Sequence, residues 1–307
     1  MYSVVMRFAI GVCTRNRPES LQKLITSLEV ISFENLTLLV SDSSDDIQKK
    51  KNKSVVNGYK LGEIKYIEST PGVALQRNKI LDLSRELNIE ILHFLDDDVE
   101  IAVNYFESVN SIFKNDRQIA IVGAAVRNSP KSQIKKNHQG KLKKNGIAYG
   151  IYSLKGDHFV DWVPTLSMSI RLSLLQNLHF DERRKGNSLG EDVAFCIAAS
   201  NFGKVLWTDS TSVIHSIDPY GRYGSKKNIY ANYLHRILLW KEFPQKVSKL
   251  NLVVRIVVES LMDIMKFFVR LNTKYLKYSC FRILFLVESR FCNRKLNELI
   301  ELIRLMA

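Results

Sequence analysis

Short apolar segments alternate with amphipathic segments along the first 126 residues of the chain. Each apolar segment ends in polar or turn-forming residues, which predicts β-strands separated by helices. The first helix is predicted to begin at Pro18, a residue that suits a first helical turn. This alternation predicts an α/β fold with an open, mostly parallel sheet flanked by helices. The predicted strands are 7–13, 36–40, 64–67, 91–95 and 119–126.

The pattern lapses in residues 127–158, which are basic, rich in Gly and Lys and weakly periodic. This segment is predicted to be a long mobile loop or an irregular hairpin beside the site, and it would serve either as an active-site lid or as a solvated insertion without a role. A clear pattern of apolar and polar residues resumes at 159–164 and 166–170. A short helix is expected to lead from there to residues 180–182. A further helix opens near residue 191, followed by two closing strands at 205–207 and 212–215.

The last 80 residues are predicted to form a helical appendage. Between residues 252 and 271 the charged side chains recur every three or four positions, so they form one narrow polar stripe on an otherwise apolar helix. Such a helix must bury most of its circumference, either in a bundle or in the interface of a membrane. We therefore expect two regions, a domain over 1–225 and a basic helical region over 226–307.

The composition indicates a folded globular protein, with 307 residues, 46% hydrophobic and 25% charged. Of the net charge of +14, residues 226–307 supply +10, and an acid-free run from Arg127 to Lys144 supplies another +7. Positive charge gathered in two regions suggests a surface for anionic lipid, anionic substrate or nucleic acid. We expect a cytoplasmic protein with reduced cysteines, because no segment has the layout of a signal peptide or a membrane span.

Three consecutive carboxylates, Asp96, Asp97 and Asp98, follow the fourth predicted strand. Parallel sheets bind ligands at the carboxyl ends of their strands, and adjacent carboxylates repel one another unless a cation is supplied. The cluster therefore predicts a site for Mg²⁺ or Mn²⁺, although an acidic turn or a helix cap would use the same residues. Polar residues also follow the first two strands, and the sheet should bring them to the same edge: Thr14, Arg15, Asn16 and Asp42.

Taken in order, these motifs resemble the family 2 glycosyltransferases, which have the GT-A fold. The matching segments are 10–18, 39–45, 71–78, 94–98, 180–182 and 190–192. The resemblance implies a catalytic domain that binds a nucleotide sugar with a metal ion, Mn²⁺ or Mg²⁺, held by Asp96 and Asp98. His215 resembles a position at which some GT-A enzymes add a metal ligand, whereas a lone histidine is more often structural. Which of the three consecutive carboxylates contact the metal, and which the ribose, stays open.

The resemblance also implies roles for the other motif residues. Arg77 would face the diphosphate or an aspartate of the metal motif. Asp192 would be the catalytic base and Glu191 would orient the acceptor, although acids are also favoured in a first helical turn by the helix dipole. Trp162 would offer an apolar face to the acceptor sugar, or would belong to the core. The donor would be held by Thr14, Arg15, Asn16, Asp42, Arg77, Asp96 and Asp97.

We therefore expect an inverting, metal-dependent glycosyltransferase that uses a nucleotide-activated sugar, most simply a UDP-sugar, for hexosyl or N-acetylhexosaminyl transfer. Inversion at an anomeric carbon requires a base opposite the leaving group. The acceptor would be a glycan or lipid-linked saccharide at the inner membrane face, with the basic helices against an anionic surface. One alternative, a sugar nucleotidyltransferase, would need a Gly-rich turn that residues 14–18 lack. Another, a nucleic-acid-binding protein, would need aromatic residues interleaved with the basic runs.

Overall fold

The computed structural model describes residues 7–29, 31, 36–60, 62–128, 135–152, 154–184, 189–216 and 225–291. The chain divides into two compact units. The first comprises Met1–Lys141, Tyr149–Glu182 and Glu191–Pro219, and the second comprises Leu142–Ala148, Arg183–Gly190 and Tyr220–Ala307. The assignment of separate functions to residues 1–225 and 226–307 stays a prediction.

A mixed β-sheet forms the centre of the first unit. Its strands are β1 (Phe8–Thr14), β2 (Leu36–Asp42), β3 (Glu63–Glu68), β4 (Ile91–Asp96), β5 (Val99–Ile101), β6 (Ile119–Val126), β7 (His158–Phe159), β8 (Ser167–Arg171) and β9 (Lys204–His215). Their order is β3-β2-β1-β4-β8-β6-β9-β5, with β7 paired to β9. The α/β class and the five predicted strands of the first 126 residues are confirmed.

Strand direction divides the sheet. The strands β3, β2, β1 and β4 are parallel neighbours, as the alternation with helices predicts. The strand β8 runs antiparallel between β4 and β6, a feature that the pattern did not predict. The prediction of two closing strands was wrong, because β9 is one continuous strand. Its register against β6 shifts where Ala124 pairs with Thr208 and Ala125 with Ser212, so the polar residues between them bulge without ending the strand.

Helices cover both faces of this sheet. The core on one face includes side chains of α1 (Pro18–Glu29) and α4 (Tyr105–Asn115). The core on the other includes α3 (Val73–Glu86) and α5 (Glu191–Ala199), while α2 (Asp46–Asn57) follows β2. Gly11 lets α3 lie close to β1, since a Cβ atom there would come within 2.7 Å of Ile80 Cγ2. The short helix expected before residues 180–182 is a single 3₁₀ turn at Leu172–Leu174.

The second unit is mainly helical, as the sequence predicts. It contains α6 (Ser225–Glu242), α7 (Lys249–Arg270) and α8 (Thr273–Phe291), and Ser248 caps α7 by accepting a hydrogen bond from Asn251 N. Its segment Leu142–Ala148 closes as an irregular hairpin, the second form expected for the basic segment, while residues 129–134 and 153 lie outside the described residues. Among the described helices, none is both long and apolar enough to cross a membrane.

Candidate active site

The carboxyl ends of β1, β2 and β4 bring the predicted polar residues together. In the parallel ladder, Thr14 lies opposite Asp42 in β2, and Cys13 lies opposite Asp96 in β4. The turn after β1 reaches both neighbours. Thr14 Oγ1 donates to Asp97 Oδ2 at 2.7 Å, and Asn16 N donates to Ser44 Oγ at 2.7 Å.

Asp96, Asp98 and His215 form a group that can hold a metal ion. One ligand atom from each lies within 4.8 Å of the others, and His215 Nε2 is 3.1 Å from Asp98 Oδ1. The short strand β5 explains this meeting, because it follows the aspartates directly and pairs antiparallel with the end of β9, with Val99 opposite His215. Carboxylate oxygens suit both Mn²⁺ and Mg²⁺, and the imidazole nitrogen favours Mn²⁺ of the two, so the residues present fit the expected ion.

The middle aspartate has a different environment. Asp97 is buried and accepts hydrogen bonds from Thr14 and from Arg17 Nη1, the latter at 3.0 Å. Burial raises the pKa of Asp97 to about 7, while Arg17 and Thr14 act in the opposite direction. The sequence left open which of the three carboxylates would contact the metal. In the structure Asp96 and Asp98 lie with His215, whereas Asp97 is directed to the turn after β1.

Arg77 links the metal-site aspartates to the acidic pair that opens α5. Its guanidinium is buried, with Nη2 3.3 Å from Asp96 Oδ1 and Nη1 in contact with Glu191 Oε1. Arg77 therefore contacts the aspartate of the metal motif, which is one of the two partners expected for it, and its contact with a diphosphate stays a prediction. The carboxylate of Glu191 is thereby turned toward Arg77, with Thr165 Oγ1 3.5 Å away.

Asp192 is the more accessible member of the acidic pair. It is half-buried, whereas Glu191 is buried, and its Oδ1 accepts a hydrogen bond from Val193 N at 2.8 Å. Burial raises the pKa of both carboxyl groups, and the negative charge of Asp96 adds to the effect on Asp192. A carboxylate with a raised pKa near a metal group has the properties of a general base.

Asp42 is fully buried and bound by protein groups. Its carboxylate accepts hydrogen bonds from Ser44 N at 2.7 Å, from Asn52 Nδ2 at 2.9 Å and from the Tyr66 hydroxyl. Burial, together with this hydrogen bond to Asp42, raises the pKa of Tyr66. The structure thus places Asp42 at the carboxyl end of β2 with its carboxylate held by protein groups, and its contact with a ribose stays a prediction.

Several buried polar residues that support the site were not predicted as site residues. Gln76 donates to Ser41 O at 2.7 Å and to Thr14 O at 3.1 Å, so it ties α3 to the ends of β1 and β2. Asn78 donates to Phe180 O at 3.0 Å and anchors the motif at 180–182 to the same helix. Gln76 and Asn78 both lie in the matching segment 71–78, so that motif could have identified them as site residues. Arg17 could likewise have been identified from the matching segment 10–18.

The two remaining predicted residues lie at the margin. Arg15 is exposed in the turn after β1. Trp162 is half-buried beside the core on the α3 face, and its Nε1 donates to Tyr149 O at 3.2 Å. The contact of Trp162 with an acceptor sugar stays a prediction.

Comparison with known proteins gives one family match. The family model described as glycosyl transferase family 2 matches residues 9–196, which is more than half of the chain. No curated protein sequence matches the chain significantly.

Solved structures resemble the chain at low sequence identity. The mannosyltransferase PcManGT from Pyrobaculum calidifontis, in complex with GDP-Man and Mn²⁺, has 11% identity and a TM-score of 0.60, covering 95% of this chain and 89% of that one. GalNAc-T7 with UDP, GalNAc and Mn²⁺ has 14% identity and a TM-score of 0.58, covering 79% and 50%. S. aureus TarS 1-349 with UDP-GlcNAc has 16% identity and a TM-score of 0.51, covering 76% and 66%. The chain thus spans half of GalNAc-T7 and about two thirds of the TarS fragment, and the likeness is one of fold.

Proposed function

This chain belongs to glycosyl transferase family 2, and from that membership we propose that it transfers a sugar, with inversion, from a UDP-sugar to a saccharide or lipid-linked acceptor. One observation carries the proposal. Arg77 contacts both Asp96 and Glu191, so the Asp96, Asp98 and His215 group and the acidic pair of α5 belong to one site.

The chemistry follows from these residues. An acceptor hydroxyl is a weak nucleophile, so a base must remove its proton as it attacks the anomeric carbon from the side opposite the diphosphate. Asp192 is the proposed base, because its neighbour Glu191 is already paired with Arg77. A divalent ion bound by Asp96, Asp98 and His215 would supply charge neutralisation for the diphosphate leaving group.

Glu191 receives a different role from the one the resemblance implies. Its buried carboxylate pairs with Arg77, so we assign it to positioning Arg77 and the start of α5 rather than to direct contact with the acceptor. Arg77 in turn holds Asp96 in position for the metal.

The nucleotide is proposed to lie at the ends of β1 and β2. The turn at Thr14, Arg15 and Asn16 and the Asp42 group would hold the base and ribose, with Asp97 supporting the turn from within. Two of the three related structures described above contain UDP or a UDP-sugar, which supports the choice of UDP over GDP. Trp162 is retained as the candidate acceptor contact. The acceptor is proposed to be met at the cytoplasmic face of an anionic membrane.

The test is a screen of nucleotide sugars for Mn²⁺-dependent release of free nucleoside diphosphate. We expect release with a UDP-sugar by the wild-type chain, and loss of release in Asp98→Asn and Asp192→Asn. Asp46→Asn is the matched control, because its fully exposed carboxylate lies on α2. Equal rates in all three variants would contradict the assigned site. Pyrophosphate formation from UTP and a sugar 1-phosphate, without transfer from any nucleotide sugar, would instead indicate a nucleotidyltransferase.

A further inference from the structure

The two acidic residues of the polar stripe of α7, Glu259 and Asp263, face inward, whereas Lys266 and Arg270 of the same stripe are exposed. Glu259 accepts hydrogen bonds from the Tyr233 hydroxyl, from Arg255 Nε at 2.7 Å and from Arg282 Nη1 at 3.0 Å. Asp263 is buried and accepts a hydrogen bond from Arg282 Nε at 2.7 Å. The charges that a helix normally turns toward water are therefore used to join α7 to α6 and α8.

The opposite side of α7 is apolar and exposed. Met265 is 67% exposed, Phe268 69% and Val269 81%. The exposed side chains recur at helical spacing, so they form one continuous stripe, which we call the α7 apolar face. Large exposed apolar patches mark sites of interaction with membranes or other proteins. The face includes Val254, Val258, Leu261, Met265, Phe268 and Val269.

The charge around this face is positive. Exposed basic side chains cluster where α7 ends and α8 begins: Lys266, Arg270, Lys274 and Lys277. The acidic side chains described in the three helices are all engaged with arginines, Glu242 with Arg184, and Glu259 and Asp263 with Arg282. Lys266 of this cluster also lies 3.9 Å from Asp263 Oδ1, so Arg270, Lys274 and Lys277 carry most of the excess positive charge. The outward surface of this hairpin therefore combines apolar area with an excess of positive charge, which is the combination that binds anionic lipid.

We propose that the α7 apolar face inserts into the headgroup layer of an anionic bilayer, with α7 lying in the plane of the interface and the basic cluster contacting lipid phosphates. Charge favours this occupant over a second copy of the chain, because two identical basic borders would repel each other. None of the described helices is both long and apolar enough to cross a bilayer. A helix that lies in the plane of the interface does not need that length or apolarity. The membrane contact is inferred from the exposed apolar face and the basic cluster alone. Only its biological role, bringing the enzyme to its acceptor, rests on the proposed function.

The test is sedimentation of the full chain with vesicles of phosphatidylcholine and phosphatidylglycerol, compared with phosphatidylcholine alone. We expect the wild type to sediment with the anionic vesicles at low salt. Combining Phe268→Ser with Met265→Ser should weaken the partition coefficient at least tenfold. Phe202→Ser is the matched control, since this phenylalanine is 59% exposed outside α7, and it should change the coefficient less than twofold.

A second pair of variants tests the role of charge. Lys274→Gln with Lys277→Gln should weaken binding to anionic vesicles several-fold, whereas Lys50→Gln with Lys51→Gln, two exposed lysines on α2, should not. Circular dichroism would verify that each variant is folded. The proposal is overturned if the wild type stays in the supernatant, or if the α7 and control variants bind equally.

Sedimentation equilibrium without vesicles tests the rival occupant. A wild-type dimer that Phe268→Ser converts to a monomer would assign the face to a second copy and overturn the membrane proposal. A monomer in both forms is the result expected. The proposed function is tested separately, by measuring the release of nucleoside diphosphate when water is the acceptor and no vesicles are present. That reaction needs no membrane, so a failure of the membrane proposal would leave its result unchanged.

Discussion

Arg77 and Glu191 form a buried ion pair that spans 114 residues of sequence, with each side chain 7% exposed. The pair joins the middle of α3 to the first turn of α5. Because the same guanidinium contacts Asp96, it links the metal-site strand to the helix that carries Asp192.

Removing the cation of this pair should destabilise the fold. Arg77→Met leaves the Glu191 carboxylate buried without a counter-charge, which we expect to cost about 3–5 kcal/mol in the free energy of unfolding. The double variant Arg77→Met with Glu191→Gln should recover part of that loss, because no charge is then left alone. Urea unfolding monitored by fluorescence measures both values. Lys65→Met, which breaks an exposed pair with Glu63, should leave the midpoint nearly unchanged. Strictly additive effects of the two changes would mean that the pair is not coupled.

The pH dependence of transfer should report on Asp192. A base must be ionised, so kcat/KM should fall as the pH drops through its raised pKa, about tenfold per pH unit, and this limb should lie well above the usual 3.8 of an aspartate. Asp192→Asn should lower kcat by about 10²–10⁴ and should lack this limb. Rates at saturating Mn²⁺, with circular dichroism at each pH, distinguish the titration from unfolding. A limb near pH 4 in the wild type would argue against Asp192 as the base.

Metal binding should stabilise the chain through Asp96, Asp98 and His215. At a Mn²⁺ concentration of 100 times Kd, the free energy of unfolding should rise by about 2.7 kcal/mol. Thermal unfolding with and without Mn²⁺ measures this without reference to activity. His215→Ala and Asp98→Asn should remove most of the increase. His179→Ala, which changes an exposed histidine, should retain it. Equal stabilisation of all three variants would mean that Mn²⁺ binds elsewhere.

His93 should make the fold sensitive to acid. It is fully buried in β4, where Nδ1 lies 2.8 Å from Ser169 Oγ, and burial lowers its pKa from 6.5 to about 3. The unfolded chain binds a proton below pH 6.5 and the folded chain does not, so stability falls as the pH drops through this window, by about 1.4 kcal/mol per pH unit.

The variant His93→Leu should lose that part of the slope. Between pH 6.5 and 4.5 its free energy of unfolding should fall by about 2.3 kcal/mol less than that of the wild type. Urea unfolding across this range gives the comparison. An unchanged slope in His93→Leu would show that other groups determine the response to acid.

Local pattern predicted the strands and the carboxylate cluster at the end of β4, because both depend on short stretches of sequence. The run that ends at Asp96 is buried on both faces of the sheet and is mainly apolar, with His93 as its polar exception. The grouping of polar residues at one edge follows from parallel strands alone. The short strand β5 has three residues, which is too few for a periodic signal, although it is the element that brings His215 to Asp98.

Features that depend on tertiary partners were not predictable. The sequence shows acids at Glu191 and Asp192 but not that one of them pairs with an arginine on another helix. On α3 the buried side includes Gln76, Arg77 and Asn78, although polar residues usually indicate the exposed side. For α7 the pattern gives two contrasting sides but not their direction. That direction depends on partners in α6 and α8, such as Arg236 and Arg282, which pair with Glu259.

The antiparallel strand β8 bears on how the chain folds as the ribosome makes it. Leu95 in β4 pairs with Ser167, so a nascent chain that ends earlier leaves the hydrogen-bonding edge of β4 unpaired. An unpaired apolar edge invites association with other chains, and closing it requires contacts between distant positions. The first four strands of the sheet therefore emerge during translation well before the strand that protects them.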